Sequence, residues 1–348
     1  MNKNISGLYE FVCNQSHKPQ QEFELDLRID VDGKRPMNIV SGDLYLEDGK
    51  LYLNSFIFKK IKKKRLKNEV QIEGKHGEFS SDFKPFEDIL IRIPTDSSPY
   101  VATVQWASRS STNSVCLCKY VSKHFRTIQL EQDSEADTVP LKSFDATSLY
   151  CPNLRRSRKL TIRNIFAEAG IKIQMIKKRQ GLVPHPEATP GEGSIWTETK
   201  LHKAMIEHFS FFNEKQQWKI WFFSALEHEI SDLRGITLFH NGKRVGSAIF
   251  QNAIGCLGLE ESRMELFVSI HELGHCLNLK HPWNSSQTYS SSNPGNYSTL
   301  SWMNFPWKYY FSKESYGEEA FWNLFNFEFS DSELIHLRHA FRNDIILG

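Results

Sequence analysis

The sequence is short of three features that would mark its class at once: long apolar runs, an excess of one charge, and cysteine. No stretch approaches the roughly 20 apolar residues that a membrane-spanning helix needs. The first residues contain neither the apolar core nor the cleavage pattern of a Sec-type signal peptide. The formal net charge is +2, so the composition does not require nucleic acid as an obligate partner. We therefore expect a cytoplasmic protein without a membrane span, with leaderless secretion as the alternative.

Cysteine is too sparse for a fold built on disulfides, because six residues in 348 are far below the density of such scaffolds. Cys116 and Cys118 are separated by one residue, so on a strand they would share a face, and a bond between them would be strained. We expect free thiols in a reducing compartment.

Two domains are expected, because 348 residues exceed one ordinary core. In residues 1–150, Phe23, Leu25, Leu27 and Ile29 alternate with polar neighbours, which is the period of a half-buried strand. Further short apolar runs follow, the last of them FRTIQLE at 125–131, and Asp-Gly dipeptides mark turns. Many short strands without a helix predict an antiparallel β-sandwich-like domain. Such a domain would recruit a substrate or a regulatory partner.

A basic cluster occupies residues 59–67 of this first domain. Its members are Lys59, Lys60, Lys62, Lys63, Lys64, Arg65 and Lys67. A cluster of this kind could bind a polyanion, whereas a solvated strand edge carries the same pattern for a different reason, since charge there prevents pairing with another chain. Both interpretations stay open from the sequence.

Residues 155–348 change to alternating helix and strand patterns, after a polar stretch at 132–137 that indicates the approach to a linker. The predicted elements are a helix at 160–170, a strand at 171–176, a helix at 196–209, a strand at 218–226, a strand at 244–250 and two closing helices. The strand at 244–250 follows the hairpin dipeptide Asn241-Gly242. The fold class expected for the chain is therefore α+β.

The strongest chemical signal lies in the segment HELGHCLNLKH, residues 271–281. His271 and His275 are four residues apart, so on a helix they lie on one face about a turn apart. Two imidazoles at this spacing can bind one Zn²⁺. Glu272 follows the first ligand, where a carboxylate can act as general base toward a water molecule.

A catalytic zinc ion needs a third protein ligand, and His281 is the candidate. His281 would be too far away if the helix continued, so the chain must turn before it. Asn278 is the residue where a turn is easiest, because asparagine tolerates the left-handed backbone conformation. Glycine should then replace Asn278 without loss, or with a small gain of stability.

This segment resembles the metzincin signature H-E-x-x-H-x-x-G-x-x-H, with Asn278 in place of the glycine. The resemblance covers about residues 155–348 and is closest to matrixin-like and adamalysin-like members. It implies one catalytic Zn²⁺ bound by His271, His275 and His281, and a methionine turn centred on Met303. It also implies that Tyr309 or Tyr310 could bind the oxyanion or line a substrate wall. Gly246, Ser247, Ala248 and Ile249 resemble the family's edge strand, which pairs with extended substrate.

The function expected from these residues is a zinc-dependent endopeptidase that acts on a protein or peptide substrate. The first alternative is a zinc-containing binding protein without turnover. The second is a polyanion-binding protein that acts through the cluster at 59–67. The presence of Glu272 favours the enzyme, because a purely structural zinc site has no need of a general base.

Overall fold

The computed structural model describes residues 4–12, 23–46, 51–96, 98–108, 111–146, 159–183, 195–213, 217–255, 261–284 and 297–346. Within these residues the fold is a mixture of α-helices and β-strands, and the predicted α+β class is confirmed. No helix among them is long and apolar enough to cross a membrane. Cys116, Cys118 and Cys276 are buried free thiols, as expected. The cysteines at 13, 151 and 256 and the predicted turn at 48–49 lie outside the described residues.

Contacts divide the chain into two units. Unit 1 comprises Met1–Arg126 and Ile335–Asp344, and unit 2 comprises Thr127–Leu334 and Ile345–Gly348. The first segment of unit 1 ends at Arg126, about 25 residues before the domain boundary predicted near residue 150. A short C-terminal segment, Ile335–Asp344, also belongs to unit 1. No local pattern in the sequence indicates this assignment.

Unit 1 is built on one ten-stranded sheet in which all described pairings are antiparallel. Its strands are β1 Gly7–Phe11, β2 Glu24–Asp30, β3 Ile39–Leu46, β4 Leu51–Phe58, β5 Ile61–Arg65, β6 Glu69–Gly74, β7 Glu78–Phe79, β8 Ile89–Pro94, β9 Val101–Ser108 and β10 Ser111–Ser122. Their order across the sheet is β5-β6-β8-β9-β10-β1-β2-β3-β4-β7.

The sandwich prediction was right about antiparallel strands and wrong about two separate sheets. The single sheet curls, so that Phe58 of β4 packs over Gly74 of β6, where an added Cβ would lie 2.7 Å from the ring. Leu25, Leu27 and Ile29 are buried in one core with residues from both ends of the sheet, as their alternation predicts. Curling gives the sheet an enclosed apolar face without a second layer.

The C-terminal segment of unit 1 is bound to β2 and β3 by buried polar groups. His339 Nε2 and Arg338 Nη1 lie 3.1 and 2.9 Å from Asp30 Oδ2, and His339 Nδ1 lies 3.0 Å from Ser41 Oγ. Burial lowers the pKa of His339 to about 4, so the imidazole is neutral at pH 7. Complete burial of Ser41 and His339 makes this a structural network.

The basic cluster of residues 59–67 lies on and beside β5, an outer strand of the sheet. Several of its charges are already paired: Lys59 contacts Glu78, while Lys63 and Arg65 contact Asp32. These contacts favour a charged strand edge, which discourages pairing with a second chain.

Unit 2 contains a five-stranded sheet of order β14-β11-β15-β17-β16. The strands of the unit are β11 Arg126–Glu135, β12 Phe144–Asp145, β13 Lys159–Leu160, β14 Ile171–Leu182, β15 Lys219–Ala225, β16 Gly235–His240, β17 Lys243–Phe250, β18 Tyr310–Ser312 and β19 Ser315–Tyr316. The helices of unit 2 are α1 Ile162–Glu168, α2 Glu198–His208, α3 Gln251–Gly255, α4 Glu261–Cys276 and α5 Gly317–Leu324. Two further helices, α6 Asp331–His339 and α7 Arg342–Ile345, have residues in both units.

The strand β11 was predicted to belong to the N-terminal domain, and the structure places it in the sheet of unit 2. It pairs in parallel with β15, from Gln129 opposite Lys219 to Ser134 opposite Ser224. Asp133 accepts a hydrogen bond from Trp221 Nε1, and Glu135 accepts one from Trp196 Nε1. The polar stretch predicted as a linker thus includes buried partners of the unit 2 core.

The prediction of an edge strand at Gly246, Ser247, Ala248 and Ile249 is wrong. These residues belong to β17, which pairs with β15 on one side and with β16 on the other. All four are buried. The edge strand on this side of the sheet is β16, which runs antiparallel to β17. The two strands form one hairpin, and their composition alone does not distinguish the inner strand from the outer one.

Candidate metal centre

The helix α4 contains His271, Glu272 and His275, the first residues of the site. Most of its residues are buried, including His271 and Glu272. Its apolar residues Met264, Phe267 and Ile270 are buried, and burial extends around the helix. A helix enclosed in this way holds its side chains in few rotamers, which suits a site that needs fixed geometry.

The helix ends where the sequence predicts, through a left-handed residue at Asn278 with φ 60°. The Leu279 N–H donates to Gly274 O, and the Asn278 N–H donates to His275 O, at 3.0 and 2.9 Å. These two bonds form a Schellman motif, which satisfies carbonyl groups at the helix end and reverses the chain. Asn278 Oδ1 also accepts a hydrogen bond from the Arg244 guanidinium on β17.

This reversal brings His281 back to the two helical histidines. The three Nε2 atoms lie 3.1 Å apart for His275 and His271, 3.1 Å for His275 and His281, and 3.2 Å for His271 and His281. Three nitrogen ligands at about 2.0–2.1 Å from a tetrahedral ion would be roughly 3.3–3.4 Å apart. The three histidines predicted as ligands therefore form a group that could hold a metal ion.

The second nitrogen of each helical imidazole is fixed by a backbone carbonyl. His271 Nδ1 lies 2.8 Å from Trp302 O, and His275 Nδ1 lies 2.8 Å from Leu279 O. Because a carbonyl only accepts hydrogen bonds, we assign the proton of each ring to Nδ1, which leaves the Nε2 lone pair for a metal. The His281 ring stacks on Trp283 at 4.5 Å between centroids.

Electrostatics keep these imidazoles neutral, which is the form that binds metals. Burial, with the neighbouring His275 as a further cause, holds the pKa of His271 well below its usual range. Burial likewise lowers the pKa of His281 to about 4, and it lowers the pKa of His275. A cluster that stays neutral through the physiological range needs no deprotonation before a cation binds.

Glu272 lies beside the three histidines but is not a member of the metal-holding group. Its Oε2 accepts a hydrogen bond of 2.9 Å from the Thr237 hydroxyl on β16. Burial raises the pKa of Glu272 to about 7, and the Thr237 hydrogen bond opposes this shift. A carboxyl with a pKa near neutrality can both take up and release a proton.

Met303 lies beneath the site in a turn that includes Trp302. Its side chain is fully buried, and its Sδ would be 2.5 Å from a Cβ added at Gly274. Gly274 thus allows the turn to approach the helix between the two histidine ligands. The Trp302 carbonyl that fixes His271 belongs to the same turn.

A cleft of about 410 Å³ opens beside His271 and Glu272. Its lining is formed by Asp232, Leu233, Arg234, Gly235, Met264, Phe267, Val268, His271, Glu272, Phe305 and Trp307. The tyrosines predicted for its wall are not in this lining. Tyr309 is buried with its ring 5.9 Å from Phe321, and Tyr310 is half exposed on β18. Phe305 and Trp307 provide the wall instead.

The sequence interpretation missed several residues of this site, and the most informative are Gly235, Thr237, Phe305 and Trp307. The first two lie on β16, whose proximity to α4 is a tertiary contact between segments more than 30 residues apart. Phe305 and Trp307 alternate just after Met303, and that spacing was a usable signal for a wall.

Neither a scan against protein-family models nor a search of curated proteins finds a match for this chain. The residues of the site and their geometry therefore carry the functional assignment.

Proposed function

We propose that this chain is a zinc-dependent endopeptidase of metzincin-like type, with unit 2 as its catalytic domain. The observation that carries the proposal is the group of three Nε2 atoms 3.1–3.2 Å apart, with Glu272 beside it. Zinc is the metal we propose, because an all-imidazole site of three ligands suits a tetrahedral Zn²⁺ with one position left open.

The donor set supports this choice in two ways. Two of the rings are oriented by carbonyl groups that fix the tautomer, as is usual for zinc-bound histidine. The carboxylate that shares the site is held by Thr237 outside the ligand group, which suits a base and not a fourth ligand. When bound, Zn²⁺ would supply Lewis-acid activation of water and of the substrate carbonyl.

The role of Glu272 follows from its environment. In its ionised form it takes a proton from the attacking water, and in its protonated form it delivers that proton to the leaving amine. Burial, which raises the pKa of Glu272 in the metal-free protein, favours the protonated form that the second step needs. The apolar cleft between Val268 and Trp307 would accept a substrate side chain next to the scissile bond and exclude water from it.

The decisive experiment is cleavage of an unbiased peptide library with and without a chelator, using full-length wild type and Glu272→Gln. We expect about one zinc per wild-type chain by elemental analysis, with cleavage lost on chelation. Glu272→Gln should keep its zinc while turnover falls at least roughly a hundredfold. A Glu272→Gln variant as active as wild type would exclude this mechanism. Zinc binding without cleavage of any peptide would favour the alternative of a non-catalytic binding protein.

A further inference from the structure

The edge strand β16 contacts the general base directly. Gly235 and Thr237 are two residues apart and therefore lie on the same face of the strand. The intervening Ile236, together with Leu238, packs into the apolar core on the other face of the sheet. The face with Gly235 and Thr237 is turned toward α4, at the position of Glu272.

The contact at Gly235 is a close approach of backbone to side chain. A Cβ added at Gly235 would lie 2.8 Å from Glu272 Cγ and 2.7 Å from Val268 Cγ1. Both neighbours would have to move, because real Cβ atoms do not approach other atoms so closely. The strand backbone thus restricts the Glu272 side chain along its aliphatic part.

The contact at Thr237 restricts the carboxylate itself. The hydroxyl donates to Oε2 at 2.9 Å, and Oε1 lies nearest Gly235. A buried carboxylate without a donor would be costly, so the hydrogen bond both satisfies the group and selects one orientation of its plane. Because Thr237 binds Oε2, Oε1 is the oxygen that would carry the proton in the proposed reaction.

We propose that Thr237 is a positioning residue, which holds the Glu272 carboxylate in the orientation that proton transfer requires. This inference depends on the proposed peptidase function for its kinetic consequences, but the orientation can be measured without activity. A misplacement of a reacting group by about 1 Å can reduce a rate by two orders of magnitude. Loss of the Thr237 hydroxyl should therefore act on kcat, whereas the metal ligands and the cleft lining remain unchanged.

The test compares Thr237→Val, which keeps the shape and removes the donor, with Thr237→Ser, which restores a donor. Thr103→Val makes the same exchange on β9 of unit 1, outside the histidine group and the residues that line the cleft. We expect Thr237→Val to lose about 10- to 100-fold in kcat, with KM within about twofold and zinc content unchanged. Thr237→Ser should recover most of that loss, and Thr103→Val should behave as wild type.

A structural measurement separates this inference from the proposed function. In crystals of metal-free protein, Thr237→Val should show the Glu272 carboxylate rotated away from its wild-type position, and Thr237→Ser should show it in place. If wild type cleaves no peptide, the proposed function fails, and these crystals still decide the role of Thr237. An unrotated carboxylate in Thr237→Val would overturn the inference. So would equal losses of kcat in the Val and Ser variants, since the hydroxyl would then not be the cause.

Discussion

Replacement of Asn278 tests how the chain brings the third histidine to the site. Asn278 holds φ 60° at the end of α4 and accepts a hydrogen bond from Arg244. Sequence alone suggests that glycine would be neutral or slightly stabilising there, because glycine has no Cβ to strain. The Arg244 contact changes this expectation, since glycine would also remove the acceptor of a partly buried guanidinium.

The magnitude follows from two opposing effects. Relief of the left-handed backbone contributes up to about 1 kcal/mol in favour of glycine, whereas a hydrogen bond to a charged group is worth roughly 1.5–3 kcal/mol. We therefore expect Asn278→Gly to destabilise the metal-free protein by about 0.5–2 kcal/mol. Asn278→Asp should be close to wild type, because aspartate tolerates the conformation and keeps an acceptor for Arg244.

Asn278→Val should show the largest effect, because a β-branched residue in the left-handed region is a genuine outlier. The turn would shift, and His281, three residues later, would leave the ligand group. Its zinc affinity should fall to that of His281→Ala, which removes the same ligand. The assays are thermal unfolding of metal-free protein and zinc titration against a competing chromophoric chelator. Wild-type zinc affinity in Asn278→Val would show that the chain turns elsewhere, and a stabilised Asn278→Gly would show that Arg244 contributes nothing.

Three further changes test other parts of the molecule. Gly235→Ala should displace the Glu272 side chain and lower kcat at least roughly tenfold, while zinc is retained. An unchanged kcat would mean that β16 shifts to accept the methyl group and that Glu272 stays in place. A fragment of residues 127–348 should stay folded and bind zinc. A fragment of residues 155–348 should not fold, because it lacks β11 and leaves Trp221 Nε1 without its acceptor Asp133. Circular dichroism measures the folding of each fragment, and zinc titration measures its metal binding. Burial and, next, Asp43 raise the pKa of Asp26 to about 7, so its stabilising contribution is complete below about pH 4 and is lost as pH rises through 7. Asp26→Asn should therefore gain about 1–2 kcal/mol over wild type between pH 5 and pH 8 in denaturant titrations, a value reduced for partial exposure.

The three histidines that could hold a metal ion were predictable because their geometry is almost entirely local. His271 and His275 need only a helix, and His281 needs only the reversal at Asn278, all within eleven residues. The elements after residue 155 were also predicted correctly where the pattern was long, as for α1, α2 and β15. Asn278 is the clearest case, since its positive φ was expected from residue type and ligand spacing.

What could not be predicted depends on contacts between distant segments. The run FRTIQLE, which contains the first part of β11, fits either unit, because such a pattern occurs in antiparallel and in parallel sheets. The same limit applies to β17, which was predicted to be an edge strand and pairs with both β15 and β16. The single curled sheet of unit 1 depends on strand order, which alternation does not encode.

Two glycines explain why the surroundings of Glu272 and Met303 follow from tertiary structure and not from the signature alone. Gly274 has no side chain, so the turn that contains Met303 can pack against α4 there. Gly235 has none either, so the backbone of β16 can pack against Glu272. Each approach is closer than a Cβ on the glycine would allow: the Met303 side chain lies against Gly274, and the side chains of Val268 and Glu272 lie against Gly235. The turn fixes His271 through the Trp302 carbonyl, and the strand fixes Glu272 through Thr237. His271 and Glu272 are adjacent in sequence, yet each is oriented by a different neighbour. In the proposed site this allows His271 to bind a metal ion while Glu272 remains free of it.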